Sequence, residues 1–235
     1  MSKHCLAWVL AHPDDESFGS ACAIKEAATR GNKTVLLVAT DGEAGKTGYL
    51  GPMSKAELAA KRREELKEAS RILGLSAITT LGYPDGKLAE IPILELENQI
   101  VRFINAHSAQ VVITFGEDGV SGHPDHIAIH QATTKAVTGG ACPTVEKLYY
   151  YFNPFQSKPK HKPSVRIPVS THWETKVKAL LAHESQLISI DPVFGYLDSP
   201  NSFPLSLQEE AFVLAWQHGE YFPTREESFF TDHLR

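Results

Sequence analysis

Short apolar runs alternate with longer amphipathic segments along the first 140 residues of the chain. Four runs have the length of strands and are rich in β-branched residues: CLAWVLA (5–11), TVLLVAT (34–40), AITTL (77–81) and QVVITF (110–115). Such runs are typical of strands that are buried on both faces. The amphipathic segments that follow them predict helices at 17–30, 54–73, 91–106 and 125–137. The pattern therefore predicts a repeated strand–helix unit.

The helix predicted over 54–73 carries a start signal and a stop signal. Ser54 and Glu57 have the spacing of a capping box, in which each side chain bonds the backbone N–H of the other residue. Gly74 follows the last residue of the apolar pattern, and glycine is favoured just after a helix because it adopts left-handed backbone angles. These signals set the bounds of the helix.

The pattern of strands and helices becomes less regular at about residue 150. We expect strands at 148–152 and 164–169 and a helix from about 171 to 187. The remaining stretch contains prolines at 192, 200, 204 and 223, which predict irregular loops, and it includes one short apolar segment at 210–216. These loops are expected to form a wall of the crevice.

Alternating strands and helices predict an α/β fold of the Rossmann-like type. Right-handed crossovers build a mainly parallel sheet that is flanked by helices on both faces. We expect a single domain over 1–235, with its core at about 4–190 and C-terminal loops and short elements at 191–235. In such folds the active site lies at the carboxyl ends of the strands.

Polar residues follow each of the four predicted strands. The segments are HPDDE (12–16), TDGEAG (40–45), GYPDG (82–86) and GEDGVSGHPDH (116–126). Asp and Gly are ordinary turn residues, so each loop alone is weak support for a site. Their coincidence at four strand ends indicates a site on one edge of the sheet.

Charge, cysteine content and the length of the apolar stretches narrow the class of ligand and the cellular compartment. The net charge is −5, with 23 basic and 28 acidic residues, so we expect a small-molecule substrate and no nucleic acid. Three scattered cysteines without a CxxC spacing favour a reducing, cytoplasmic setting. The sequence shows neither a signal-peptide pattern nor an apolar stretch long enough for a membrane span, so no membrane is expected.

The two loops with histidines have the composition of a metal site. A His and an Asp on the first loop, with two histidines on the second, can supply three ligands to a divalent cation and leave one position open for water. The cation would offset the repulsion among three consecutive acids, 14–16. It would also lower the pKa of a water molecule and polarise a carbonyl group.

These loops give the chain a resemblance to a known family. AHPDDE at 11–16 and GHPDH at 122–126 match the two signatures of the LmbE/PIG-L superfamily of metal-dependent deacetylases. Weaker matches are TDGEAG, Arg62 to Leu66, LGYPDG and KALLAHESQ (178–186). The resemblance implies hydrolysis of an N-acyl amide, with an N-acetylglucosamine-type amino sugar or its glycoside as substrate.

The resemblance also implies roles for individual residues. It makes His12, Asp15 and His126 the ligands of Zn²⁺, although another divalent metal such as Fe²⁺ fits the same set. Asp14 becomes the general base that takes a proton from the attacking water. Amide hydrolysis needs a base of this kind as well as a group that stabilises the oxyanion.

The resemblance assigns the oxyanion-stabilising group to the second signature. His123 is expected to be the protonated group that stabilises the oxyanion, and Asp125 to orient and tune it. Arg62 and Glu43 match positions that line or brace the substrate pocket of relatives. Ser121 stands where some relatives have a tyrosine that helps to hold the tetrahedral intermediate, so either another group does that work or the substrate differs.

Other histidines and acids have simpler interpretations. Glu16 is expected to be an acid of the first helical turn or a support for the site, and His130 a support or packing residue. His183 and Gln186 are expected to be structural or to lie at the pocket edge.

Three other functions use similar residues. A hydratase could add metal-activated water to a double bond, and two histidines with a carboxylate also form the triad of non-haem iron oxygenases. Those oxygenases usually have all-β scaffolds, whereas this pattern is βαβ. A non-catalytic metal- or sugar-binding module would need neither Asp14 nor His123. The sequence leaves the aglycone, the native metal and a homo-oligomeric state open.

Overall fold

One mixed sheet with helices on both faces forms the protein. The computed structural model describes residues 3–195 and 197–235. The strands are β1 (Cys5–Leu10), β2 (Lys33–Thr40), β3 (Ala77–Tyr83), β4 (Val111–Thr114), β5 (Lys147–Tyr151), β6 (Val165–Pro168), β7 (Glu209–Gln217) and β8 (Glu220–Tyr221). The α-helices are α1 (Asp15–Gly19), α2 (Ala21–Thr29), α3 (Lys55–Leu73), α4 (Ile93–His107), α5 (Pro124–Thr138), α6 (Trp173–Ala182) and α7 (Leu187–Phe194).

The first five strands form the parallel part of the sheet. The strand order is β3-β2-β1-β4-β5-β7-β6, and β8 pairs with β7. β1 lies at the centre, with β2 and β4 as parallel neighbours, and all six of its residues are buried. A strand covered by helices on both faces has no solvent side, which explains its continuous apolar sequence. The predicted Rossmann-like α/β fold is confirmed.

The other side of the sheet is antiparallel. β7 runs antiparallel to both β5 and β6, with Tyr151 opposite Phe212 and Val165 opposite the same residue. The sequence pattern predicts only a short segment here, at 210–216, within a region of loops. The segment is instead a nine-residue strand that joins β6 to the rest of the sheet.

The capping signals of α3 act as predicted. The backbone N–H of Glu57 donates to Oγ of Ser54 at 3.3 Å, and the N–H of Ser54 donates to Oε2 of Glu57 at 2.8 Å. Gly74 ends the helix in the left-handed region, with φ of 83°. These bonds satisfy backbone groups that a helix end leaves without partners.

The helix predicted over 17–30 is two helices. It begins earlier, at Asp15, and breaks at Ser20, whose backbone angles (φ −150°, ψ 18°) are not helical. Oγ of Ser20 lies 2.6 Å from the hydroxyl of Tyr151. Gly19 permits this approach, because a Cβ at that position would lie 2.5 Å from the Tyr151 ring. A contact with β5 therefore decides the break.

The helix predicted over 171–187 is also divided. α6 ends at Ala182, a short 3₁₀ turn covers Glu184–Gln186, and α7 continues to Phe194 with Pro192 inside it. His183 leaves the helical path (φ −86°, ψ 61°), and its ring bonds the buried Glu16. The expected start of the loops and short elements at residue 191 therefore falls inside α7. Among the described residues, no helix combines the length and apolar character that a membrane span requires.

Candidate active site

The site lies where four loops meet at the carboxyl edge of the parallel strands. His12 follows β1, Glu43 follows β2, Asp85 follows β3, and His123 and His126 follow β4. β3, β2, β1 and β4 are neighbours in the sheet, so residues more than 100 positions apart are brought together. This is the edge that the sequence predicts.

The three expected metal ligands face one another. Nδ1 of His12 lies 3.1 Å from Nε2 of His126 and 3.6 Å from Oδ2 of Asp15. Oδ1 of Asp15 lies 3.3 Å from the same His126 nitrogen. The backbone N–H of His12 donates to Oδ2 of Asp15 at 2.7 Å, which fixes the carboxylate and leaves Oδ1 turned toward His126.

Neighbouring groups fix the tautomers of both histidines. Nδ1 of His126 lies 2.9 Å from the carbonyl of Gly119, so this nitrogen donates to the carbonyl and Nε2 is the nitrogen that is left for a cation. Nε2 of His12 lies 3.1 Å from Oδ1 of Asp85 and 3.3 Å from Oδ2 of Asp125, which leaves Nδ1 as the free nitrogen. Ligating histidines in metalloproteins are held by carboxylates or carbonyls in this way.

The donor set fits a divalent cation. Two imidazole nitrogens lie within 3.6 Å of each other and of the Asp15 carboxylate, which faces each ring through a different oxygen, and a positive charge between these groups would stabilise the arrangement. The nitrogens of His12, His123 and His126 also lie within 4.8 Å of one another. A second group, His12 with Asp85 and Asp125, has its carboxylates bonded to backbone N–H groups at Ala44, Gly86 and Leu88, so it orients His12.

The charges of these groups shift their pKa values. Burial disfavours the charged form of His12, but hydrogen bonds to Asp125, Asp15 and Asp85 hold its pKa well above the ordinary value. Burial alone would raise the pKa of Asp15, but the positive charge of His126 and the hydrogen bond from His12 hold it well below its usual range. The site therefore holds Asp15 as a carboxylate.

The carboxylate of Asp125 faces His12 and not His123. It was expected to orient His123, but it accepts bonds from the N–H groups of Gly86 (2.8 Å) and Leu88 (3.0 Å) and faces His12. His123 is the N-cap residue of α5, and its Nδ1 accepts the backbone N–H of Asp125 at 3.2 Å. The side chain of Asp125 therefore points back toward the loop after β3.

His123 presents its other nitrogen as a donor. Because Nδ1 accepts a hydrogen bond, the proton of a neutral ring lies on Nε2. Burial and the positive charges of His12 and His126 lower the pKa of His123. This environment favours the neutral ring with its Nε2–H as a donor, and the protonated form expected from the sequence stays a prediction.

Asp14 has an unusual backbone conformation beside the three ligands. Its φ is 131°, a region that only glycine adopts readily, and such strain is often found at functional sites. The N–H of Asp14 donates to Oε2 of Glu16 at 3.1 Å, and Oδ2 of Asp14 lies 3.0 Å from Nη2 of Arg62. Burial raises the pKa of Asp14 to about 6, against the opposing charge of Arg62.

Arg62 is buried and is held by the loops of two strands. Its guanidinium donates to the carbonyls of Gly42, at 2.8 Å, and Pro13, and it lines the cavity. Gly42 has φ of 69°, and a Cβ on it would collide with the guanidinium. Arg62 is therefore not on a solvated face of α3, although charged residues surround it in the sequence.

The other two residues expected at the substrate pocket differ in position. Ser121 lines the cavity and is exposed, with its Oγ 3.5 Å from Nδ1 of His126. Glu43 does not line the cavity; its Oε1 accepts the N–H of Asp85 at 2.9 Å. Glu43 thus braces the loop that carries Asp85.

Asp85 was not identified from the sequence as a support of the site, whereas Glu16 and His183 were expected in supporting or structural roles. Asp85 was noted only as part of a strand-end loop, yet it contacts His12 directly. His183 and Glu16 form a fully buried pair, with Nε2 and Oε1 2.7 Å apart, and Glu16 in turn bonds Asp14. His130 bonds the carbonyl of Phe115 at 2.9 Å and has a packing role, as expected.

A cavity of about 960 Å³ opens over these residues. At one end it is lined by the polar residues of the site. The lining residues there include His12, Asp14, Asp15, Arg62, Asp85, His123 and His126. The other end lies toward β5 and β7, which follow β4 in the sheet order, and its lining residues include Phe152, Pro154, Phe155, Val193, Phe194 and residues 205–207 and 209–211. The molecule thus has a strand-edge pocket with a polar floor, which is typical of an α/β enzyme.

Fold and site together define a Rossmann-like protein with a potential metal site of histidines and carboxylates, and comparison with known families identifies the family. The PIG-L family model, described as GlcNAc-PI de-N-acetylase, matches residues 7–137, which include both histidine loops. The chain therefore belongs to the PIG-L family.

Named relatives match over most of the chain. A 1D-myo-inositol 2-acetamido-2-deoxy-alpha-D-glucopyranoside deacetylase of Mycobacteroides abscessus is 31% identical, over 81% of this chain and 84% of that protein. A diacetylchitobiose deacetylase of Thermococcus kodakarensis is 32% identical, over 74% of this chain and 67% of that protein. Across these relatives and one from Kineococcus radiotolerans, the matches span 52% to 84% of the relatives' own lengths.

Solved structures share the fold. A conserved protein of Thermus thermophilus is 28% identical with a TM-score of 0.66, covering 90% of this chain and 94% of that one. The 4-carboxy-2-hydroxymuconate hydratase of Pseudomonas putida has a TM-score of 0.68 at 16% identity, covering 89% of this chain and 95% of that one. The second likeness concerns the fold alone.

Proposed function

We propose that the protein is a metal-dependent deacetylase that hydrolyses the N-acetyl group of an N-acetylglucosamine-type amino sugar or glycoside. The observation that carries the proposal is the convergence of His12, Asp15 and His126 with Asp14 beside them. The named deacetylases among the relatives support the substrate class.

We propose Zn²⁺ as the cation, held by Nδ1 of His12, Nε2 of His126 and a carboxylate oxygen of Asp15. Mixed nitrogen and oxygen ligands in a set of three suit zinc, and Fe²⁺ is the alternative. When bound, the cation supplies positive charge that lowers the pKa of water and polarises the amide carbonyl. Asp85 and Asp125 keep the His12 ring in the orientation that binding needs.

Asp14 is proposed as the general base. Its carboxylate borders the cavity next to the three ligands, and Arg62 holds one of its oxygens at 3.0 Å. The remaining oxygen accepts a proton from water and later delivers it to the leaving amine. The strained backbone fixes the direction of the side chain, so little reorganisation is needed.

His123 is proposed to stabilise the oxyanion that forms on the carbonyl oxygen. A neutral ring whose Nδ1 accepts the Asp125 N–H presents its Nε2–H to the cavity. Preorganised donors of this kind stabilise developing negative charge in a site that excludes water. A tyrosine in the place of Ser121 is therefore not required for an oxyanion donor.

The first experiment measures acetate and amine release from N-acetylglucosamine and its glycosides. Metal-stripped protein is compared with zinc-restored protein, and both with the Asp14→Ala and Asp15→Ala variants. We expect zinc-dependent release that falls about 100- to 10,000-fold in Asp14→Ala, because a general base is lost.

The metal content of the two variants separates their roles. Asp14→Ala is expected to keep one zinc per chain, whereas Asp15→Ala loses it. Equal loss of metal in both would contradict the assignment of base and ligand. If zinc binds at one per chain and no acetyl sugar is cleaved, addition of water to an activated double bond becomes the function to test.

The single-domain organisation and a cytoplasmic location are part of the same proposal. Cys5, Cys22 and Cys142 are buried and unpaired, which supports a reducing compartment.

A further inference from the structure

The cavity is larger than an amino sugar needs. Its volume of about 960 Å³ is near the upper end of the ~300–1,000 Å³ that is typical of sites for drug-sized ligands. An N-acetyl amino sugar placed with its amide at the three ligands would occupy the polar end and leave the far end empty. The far end is therefore available to the group that is attached to the sugar.

Apolar side chains dominate that far end. We define the apolar subsite as Phe18, Phe152, Phe155, Phe194, Leu205 and Leu207, all of which line the cavity. The rings of Phe18 and Phe194 are 5.3 Å apart, and Phe194 is buried, so these two form a fixed floor. Two separate chain segments, 152–155 and 205–207, contribute the remaining side chains.

Two members of the apolar subsite are unusually exposed. Leu205 is 86% exposed and Phe155 is 63% exposed. Single exposed apolar residues are common, but here both belong to the same cavity and continue its apolar lining outward. Contact with an apolar ligand group would remove this surface from water, which is favourable.

The charged residues at this end of the cavity are already paired. Arg166 bonds Glu209 at 2.7 Å, and the buried Lys176 bonds Glu210 at 2.6 Å and the carbonyl of Phe18 at 2.9 Å. These cations are therefore neutralised by the protein's own carboxylates. An anionic group on the ligand would gain little from them and would meet both carboxylates.

Lys46 is the other lysine that lines the cavity, and it is exposed. No carboxylate within 4.0 Å pairs with it among residues 3–195 and 197–235. An exposed lysine is a strongly hydrated point charge on a flexible stem, so by itself it does not build an anion site.

We infer that the physiological substrate is an N-acetylglucosaminide whose aglycone is an alkyl or aryl group, bound by the apolar subsite. The inference rests on the proposed deacetylase function and specifies its substrate class. It separates this protein from relatives that are named for an inositol glycoside or for diacetylchitobiose, whose attached groups are rich in hydroxyls.

The test compares kcat/KM for methyl, phenyl and octyl β-glycosides of N-acetylglucosamine and for a glycoside with a carboxylate on its aglycone. All are kept below their critical micelle concentrations. We expect phenyl and octyl glycosides to exceed the methyl glycoside roughly 10- to 100-fold, because the aglycone is buried against apolar side chains. Equal values, or preference for the carboxylate, would overturn the inference.

Variants identify the surface responsible. Leu205→Ser and Phe155→Ser should each reduce the octyl-to-methyl ratio at least about threefold, since each removes part of the apolar contact. Leu94→Ser is the matched control, because Leu94 is 57% exposed on α4 and does not line the cavity. A ratio that falls equally in the control would overturn the assignment of the effect to the subsite.

A binding measurement separates this inference from the deacetylase proposal. Calorimetry of Asp14→Asn with the methyl and octyl glucosaminides, the deacetylated products, needs no turnover. Tighter binding of the octyl compound to the variant, together with no acetate release from any glycoside by the unsubstituted protein, would support the subsite and overturn the deacetylase function. Acetate release without any aglycone preference would retain the deacetylase and overturn the subsite.

Discussion

At the scale of single residues, a buried pair supports the strained Asp14. Oε2 of Glu16 accepts the N–H of Asp14 at 3.1 Å, and Oε1 accepts the hydroxyl of Ser17 and the ring of His183. Burial alone would raise the pKa of Glu16, but the charge of His183 holds it below the ordinary value. A charged acceptor thus stabilises a backbone conformation that L-residues rarely adopt.

Replacing Glu16 by Gln should therefore affect the proposed catalysis more than substrate binding. The amide keeps the shape but loses the negative charge that holds the Asp14 backbone and His183. We expect kcat to fall about 10- to 100-fold with KM little changed and with zinc content near one per chain. Steady-state kinetics with metal analysis check this outcome.

Glu26→Gln is the matched control for that variant. Glu26 bonds His172 at 2.7 Å, so it forms a similar pair, but it lies on α2 and does not line the cavity. We expect it to leave kcat unchanged. Loss of zinc in Glu16→Gln would mean that the pair supports Asp15 rather than Asp14.

Individual residues also show which contacts of the site the sequence could predict and which it could not. HPDDE and HPDH bring His12, Asp15 and His126 to one edge, because each motif lies in the loop that follows a strand. The partner of Asp125 could not be predicted, since it depends on how the loop at 84–88 folds back to offer two N–H groups. Asp85 was missed for the same reason.

At the scale of elements, the predictable parts are those whose signals are local. β1, β2 and β4 are buried apolar runs, and the capping residues of α3 lie at its own two ends in the sequence. The break at Ser20 and the turn at His183 were missed because they depend on Tyr151 and Glu16, which lie far away along the chain. Tertiary contacts override the helical pattern at both places.

The C-terminal cap of α3 gives a test of local stability. Gly74→Ala forces an L-residue to φ of 83° and places its Cβ 3.3 Å from Cβ of Ala28. We expect the free energy of unfolding to fall by about 1–2 kcal/mol, because left-handed angles crowd the Cβ. Urea denaturation measures the change, and deacetylation should be unaffected.

Gly140→Ala separates the two causes. Gly140 also follows a helix and has φ of 80°, but a Cβ there would meet nothing within 4 Å. Its variant should therefore show the backbone strain alone. A loss in Gly74→Ala equal to that in Gly140→Ala would remove the contact with Ala28 as a cause.

At the scale of the whole molecule, the site joins distant parts of the chain. The first two ligands follow β1 and the third lies in the first turn of α5, more than 100 residues later. β1 and β4 are adjacent in the sheet, so the fold itself brings the ligands together. A cation that binds only the folded arrangement must stabilise the entire fold.

Thermal unfolding therefore reports on the site without any substrate. Zinc at about 100 times its dissociation constant contributes roughly 2.7 kcal/mol to folding, so Tm should rise by about 5–10 °C over protein in chelator. Asp15→Asn should abolish the rise, because the carboxylate ligand is lost. Asp118→Asn should keep it, since Asp118 lies on the same loop as the second motif but bonds Asn153 and Gln156. An equal zinc-dependent rise in both variants would place the cation elsewhere in the molecule.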